Sequence, residues 1–181
     1  MGKRSFFPRL ALVNLVRNSR YYGPYLLSCG ALAAMYYILR FLTWNEVIQT
    51  VRGAAYLQVM MSIGCFVVAL FSTVLLLYAN SFVMKRRQKE LGLYNILGLE
   101  KRHIAALCFW ETLLCAAVVI PGGIAAGILL SKLILLLLLK LVQIPVQFGF
   151  SVSVRGVGET AALLGVLFLL ALLWNLLRLG R

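Results

Sequence analysis

The sequence predicts an all-α integral membrane protein: four transmembrane helices, an N-terminal amphipathic interfacial helix and a short cytoplasmic loop helix. Three observations predict it. Hydrophobic residues make up 62% of the 181, and the mean hydropathy is +0.94. Soluble domains are nearer half apolar, so the excess points to lipid as the solvent. The apolar residues also gather into runs long enough for a transmembrane helix, which needs about 20 residues. Finally, 18 Lys and Arg stand against 5 acidic residues, all Glu. The basic residues cluster at the ends of the apolar runs, which is how topology is set in a membrane. A net charge of +13 also suits nucleic acid, but this placement argues against it, and no nucleic-acid partner is expected.

The elements follow in order. Residues 1–24 are basic and amphipathic. Pro8 suits the first turn of a helix. Leu12, Val13, Leu15 and Val16 fall on one side and Asn14, Arg17 and Asn18 on the other, as in a helix lying on the membrane surface. Phe6 stands where a myristoylation site needs Ser or Thr. The long basic region, with no clear cleavage site after the apolar run, makes a poor signal peptide. The first span is 25–42, and 43–55 is an extracytoplasmic connection. The second span is 56–84, with Ser62 and Gly64 as close-packing points. A cytoplasmic connection, 85–103, leads to the third span, 104–131. Apolar sequence continues to Leu141, too far for one span. A break is therefore expected near Ser131–Lys132, with 132–158 an extracytoplasmic or interfacial segment where Lys132 and Lys140 snorkel. The fourth span is 159–177, followed by a cytoplasmic tail, 178–181.

Orientation comes from the basic residues. Lys3, Arg4, Arg9, Arg17 and Arg20 precede the first span. Lys85, Arg86, Arg87, Lys89, Lys101 and Arg102 separate the second from the third, and Arg178 and Arg181 follow the fourth. The two other connections have only Arg40, Arg52, Lys140 and Arg155 near their ends. The positive-inside rule places both termini in the cytoplasm.

Catalytic chemistry finds little support. There is no G-x-x-x-x-G-K-[ST] phosphate loop. Asp is absent and His103 is the single His, with Glu100 and Glu111 its only local acids, so a Ser–His–Asp triad is excluded. His103 closes a basic cluster and reads as an interfacial residue. Cys29, Cys65, Cys108 and Cys115 each lie in an apolar run without a C-x-x-C; they read as packing residues, not metal ligands. No cofactor, metal or catalytic residue is expected. Glu111 is the one acid in the interior of a span, Glu159 standing at the very start of the fourth, and an intramembrane acid is a functional candidate. It lies about two turns from Lys101–His103, so it can reach the interface or pair with a neighbouring helix. Both a structural and a conformational or transport role stay open. In "PGGIAAG", Pro121 removes a helix hydrogen bond, while Gly122, Gly123 and Gly127 let another helix approach. Static packing and a hinge are both compatible with it.

The connection "KRRQKELGLYNILGLEKRH" raises a different question. Between two basic clusters, Leu91, Leu93, Tyr94, Ile96 and Leu97 give a helix a broad apolar surface, interrupted by Gly92 and Asn95. In the cytosol such a helix needs a cover. It either tucks under its own bundle or inserts into a partner's groove. Gly98 is a natural stop, and Glu100 suits the start of the next helix. Glu90 has Arg86 and Arg87 within one turn, a local pairing.

The same residues resemble the cytoplasmic loop of FtsX-like (MacB-type) ABC-transporter permeases. The matching positions are Lys85, Arg86, Arg87, Lys89, Glu90, Leu91, Gly92, Leu97, Gly98, Lys101, Arg102 and Ile104. "LALVNLVRNSRYYGPYLLS" and "LYANSFVMKRRQKELGLYNILGLEKRHI" resemble the antimicrobial-peptide, BceB-like subgroup. The resemblance implies a permease subunit without its own ATPase, in a bacterial cell membrane. A separate cytosolic ABC ATPase would dock on the coupling helix and drive the transmembrane helices, giving resistance to peptide antibiotics. It implies Lys89, Glu90, Leu91, Gly92, Leu93, Tyr94, Ile96, Leu97 and Gly98 as the ATPase-facing element. A sensor histidine kinase, the remaining permease half and membrane lipid are the other implied partners. Full permeases of the subgroup are several times longer and carry a large extracytoplasmic domain, so the resemblance is to the N-terminal portion only. Two other readings stand beside it. One is a non-transporting four-helix anchor or accessory subunit. The other is a small membrane enzyme or ion-coupled exporter, for which Glu111 is the sole support.

Overall fold

The computed structural model describes residues 6–45, 49, 53–96, 101–141 and 152–180. Among them are five long helices and no strand: α1 (Phe6–Arg17), α2 (Ser19–Thr43), α3 (Ala54–Ile96), α4 (Lys101–Leu141) and α5 (Val154–Gly180). Four stretches are long and apolar enough to cross a membrane: Ser19–Thr43, Ala54–Arg87, His103–Leu138 and Val154–Leu177. The all-α, four-span class is therefore as the sequence predicts.

Several boundaries differ. The N-terminal segment is not one element over 1–24. Asn18 separates α1 from α2, its backbone carbonyl accepting from Tyr21 and Tyr22 N–H. The first membrane-crossing helix thus begins at Ser19, not 25, and carries Pro24 inside it. Gly53, with a positive φ of 89°, precedes α3 and accepts from Tyr56 N–H at 3.0 Å. α5 starts at Val154, earlier than 159, because Ser153 Oγ caps it by accepting from Gly156 N–H at 3.1 Å.

The expected break at Ser131–Lys132 is absent. α4 runs unbroken to Leu141. Nothing there stops a helix: Ser131 Oγ turns back on its own helix and donates to Ile128 O at 2.8 Å, and the leucines that follow are strong helix formers. The apolar part of α4, 36 residues, is roughly 54 Å long at 1.5 Å per residue, against about 30 Å of hydrocarbon. It must tilt or project beyond the membrane.

α2 is the central helix, packed against α1, α3, α4 and α5. Its inward face supplies Tyr22, Tyr25 and Cys29 to one core cluster, with Leu76, Cys115, Val119, Leu167 and Phe168. Tyr37, Phe41 and Leu42 meet Ile124 in a second. All four cysteines are buried and unbonded to one another. The outer faces of α3 and α4 expose large apolar side chains such as Tyr56, Met60, Phe66, Val118 and Leu129, as expected where lipid replaces water.

The closest helix contact is between α2 and α4. A methyl on Gly123 would overlap Ala33 Cβ and lie 3.0 Å from Gly30 O. One on Gly127 would lie 2.9 Å from Tyr37 Cδ1 and 3.2 Å from Ala34 Cα. Missing side chains at i and i+4 let the two backbones meet. Pro121 and Gly122 are exposed, and a methyl on Gly122 meets nothing within 4 Å.

Gly123→Leu and Gly127→Leu should each lower the unfolding temperature in detergent, the overpacking costing about 1–3 kcal/mol. Gly122→Ala should leave it unchanged or raise it, since Ala is the better helix former by about 1 kcal/mol. Equal melting of all three variants would show that the α2–α4 contact does not need its glycines.

Candidate functional site

The basic end of the bundle holds a buried polar seam. α3 brings Arg87 to it and α4 brings Glu111; they are 1% and 4% exposed. The Arg87 guanidinium and the Glu111 carboxylate form an ion pair through Nη1 and Oε2. Arg87 Nη1 also donates to Tyr22 Oη on α2 at 2.8 Å. Tyr22 Oη in turn donates to Glu111 Oε2 at 3.4 Å. From α1, Asn14 Nδ2 donates to Glu111 Oε1 at 3.3 Å. Four helices thus converge on one carboxylate. Arg87 also lies beside the Tyr22 ring, 5.8 Å from its centroid.

A second polar contact lies two turns along α3. Asn80 and Asn175 exchange a reciprocal pair of amide hydrogen bonds, 2.9 and 3.1 Å, which ties α3 to α5. A small cavity, about 20 Å³, touches both sets: Tyr22, Asn80, Glu111, Thr112 and Asn175 line it, with Cys108 and Cys115. That is room for about one water molecule. Through Asn14, Tyr22, Asn80, Arg87, Glu111 and Asn175, every described helix contributes to the seam.

The burial of this pair has a cost. Removing two charges from water is expensive, and an ion pair recovers the loss only with good geometry and further hydrogen bonds. Tyr22 and Asn14 supply them here. Such a joint holds its helices in one register, because any slide leaves a buried charge without its partner.

Sequence reading placed several of these residues elsewhere. Arg87 appeared as an orientation charge and a local partner of Glu90; it is the ion partner of Glu111. Asn14 appeared on the outward polar face of α1; it is buried, while Leu12, Val13 and Val16 are exposed. Ala11 and Asn14 face the bundle and Leu15 packs on its core, whereas Leu12, Val13, Val16 and Arg17 face out, so the buried face of α1 is not its apolar side. Burial in the structure singles Arg87 out: the buried positions of α3, Cys65, Val68, Ser72, Leu76, Asn80, Val83 and Arg87, form one stripe at steps of three and four, with Met84 beside it. Extending that stripe selects Arg87 from the basic cluster. Lys85 and Arg86 are exposed.

The segment expected to face an ATPase is helical from Lys89 to Ile96, but it is no separate element. It is the end of α3, continuous with the membrane-crossing part. Glycine at 92 does not interrupt it. Leu97, Gly98 and Glu100 lie outside the described residues. Of the α4 residues, Gly123 and Gly127 face α2, and Pro121 and Gly122 face away. His103 is exposed. No group of three or more His, Cys or acidic side chains among the described residues suits a metal ion. At the opposite end, Glu159 pairs with both Arg40 and Arg155, and the Arg155 guanidinium lies 3.7 Å from the centroid of the Trp44 ring.

Replacing one member of the buried pair, by Arg87→Met or Glu111→Leu, should destabilise the protein by about 3–5 kcal/mol. The double replacement should recover most of that loss. Denaturant unfolding of the three variants in one detergent checks it; additive losses would mean the two side chains are not coupled.

Comparison with known proteins follows the same outline. Residues 62–181 match the family model described as FtsX-like permease C-terminal. The chain is 30% identical over 171 residues to the bacitracin export permease protein BceB of Bacillus subtilis, covering 92% of this chain and 26% of that protein. It is 28% identical over 172 residues to the bacitracin export permease protein BceB of Halalkalibacterium halodurans, covering 93% and 26%. An uncharacterized ABC transporter permease of Bacillus subtilis, YvcS, is 24% identical over 174 residues, covering 95% and 27%. The chain thus spans about a quarter of the length of the curated relatives it matches.

Proposed function

Because this chain belongs to the FtsX-like permease family, in its BceB type, we propose that it acts as a transmembrane permease unit of an ABC transporter. In this reading a separate cytosolic ATPase binds and hydrolyses ATP, and the permease couples that work to resistance against antimicrobial peptides. The chain itself carries no catalytic step. The peptide class is suggested by the bacitracin-export relatives. The remaining permease half and a sensor histidine kinase complete the proposed assembly.

One observation carries the reading: α3 continues without interruption from its membrane-crossing part, which ends at Arg87, to Ile96. A partner pressing on Lys89, Glu90, Leu91, Gly92, Leu93, Tyr94 and Ile96 would push on a rigid extension of a transmembrane helix; Leu97 and Gly98 complete the proposed docking element. The first internal residue it would load is Arg87, whose bonds reach α2 and α4. The buried pair then passes the displacement to the bundle. The α2–α4 contact at Gly123 and Gly127 is a pivot in this scheme. The neighbouring Pro121, which cannot donate to the carbonyl one turn back, gives α4 a place to bend. Glu111 is a positioning residue in this mechanism, not a carrier of transported ions.

The basic residues support an orientation with both termini and the end of α3 in the cytoplasm of a bacterial cell. That orientation puts the proposed docking element where an ATPase can reach it.

Co-expression of the tagged chain with its cognate ATPase, followed by purification in mild detergent, tests the reading. Wild type should retain the ATPase, and Gly92→Glu or Leu93→Asp should lose it by about tenfold while remaining monodisperse. Retention by both variants would remove the docking role from this element. A well-folded wild type that retains no ATPase would favour a non-transporting anchor.

A further inference from the structure

A second feature of the basic end is an elongated groove between α2 and α3, open to the outside of the bundle. Its volume is about 550 Å³, within the roughly 300–1,000 Å³ of small-molecule clefts. The long wall is apolar, with Pro24, Ala31, Leu75, Tyr78 and Phe82 along it, and Arg20 lines one end. Arg86 adjoins that end without lining the groove itself. Its guanidinium lies 5.3 Å from the centroid of the Phe82 ring. The hydrogen bond from the adjacent Arg87 to Tyr22 holds the start of α2 level with this part of α3.

The chemistry of the groove selects its occupant. An apolar trough with cationic groups at one end fits a molecule with a long apolar tail and an anionic head. No acidic residue occurs in 19–43 of α2 or in 54–89 of α3. A transmembrane helix seated here would need to bring an acid to the arginines, whereas an anionic lipid brings its own. The membrane also offers that lipid at the depth where Arg20 and Arg86 lie, near the end of the span.

We propose that the α2–α3 groove binds one anionic phospholipid, its phosphate against Arg20 and Arg86 and an acyl chain along Ala31 and Leu75. The site stands independently of whether an ATPase docks on α3. It also adjoins the seam: Tyr25 and Val83 line both the groove and the small cavity beside Glu111. A bound acyl chain packs one side chain away from the buried ion pair.

The test is native mass spectrometry of the full chain, titrated with phosphatidylglycerol or phosphatidylcholine of identical acyl chains. Wild type should retain one phosphatidylglycerol in preference to phosphatidylcholine. Arg20→Ala with Arg86→Ala should weaken that adduct by roughly tenfold or more, as expected for two basic residues at a membrane surface. Ala31→Phe, which fills the groove from an exposed position, should reduce binding of both lipids without changing the melting temperature. Equal retention of the two lipids, unchanged in the double variant, would overturn the proposal and leave only annular lipid. A dimer of the chain that Ala31→Phe dissociates would overturn it in favour of a helix in the groove.

Discussion

The arrangement of the bundle depends on one buried charge pair. A carboxylate inside a membrane span cannot stay ionised without a cation and hydrogen-bond donors. Glu111 finds its cation on α3, a phenol on α2 and an amide on α1. These requirements fix three helices relative to α4. Apolar packing alone fixes them less sharply, because leucine-rich faces in lipid gain little from one register over another. The pair therefore contributes uniqueness more than stability, in keeping with the small net worth of buried ion pairs.

The two ends of the bundle use the same residue types differently. At the end bearing Arg87, the ion pair is buried and shared among helices. At the other end, Glu159 bridges Arg40 and Arg155 with partial exposure, 25% for the acid and 64% for Arg155. Such a pair is screened and costs little to break. Between them, Gly123 and Gly127 bring α2 and α4 to backbone contact. A rigid joint, a close-packed middle and a weak far end form a graded series along the bundle axis. If displacement enters at α3, this order lets the far end respond without breaking the joint.

The class of the fold was legible because lipid imposes it. A chain so apolar must satisfy its backbone within helices, and run lengths and basic clusters then count the spans. What was not legible had local causes. The junction at Asn18 depends on backbone bonds that a hydropathy profile does not register. The continuation of α4 past Ser131 followed from the lack of any breaker, whereas span length alone argued for one. Asn14 was misplaced because amphipathicity does not reveal a polar partner on another helix; the face of α1 turned to the bundle carries Ala11 and Asn14, and Arg17 stays outside. Arg87 was hidden among neighbours of the same charge, and only the buried stripe of α3 distinguishes it. The buried Asn14 and the chosen arginine share one explanation, namely the solvation of Glu111.

This last point bears on how the end of α3 relates to the spans. Glu111 recruits Arg87 and not Lys85 or Arg86 because only Arg87 continues the buried stripe of α3. That choice sets the rotation of α3 about its axis. The residues that follow, Lys89 to Ile96, belong to the same helix, so their angular positions are set too. The buried carboxylate on the next helix thereby sets the rotation of the whole of α3, its end included. One electrostatic demand in the seam thus fixes the rotation of the segment proposed to dock a partner, and in that proposal the two act as a single device.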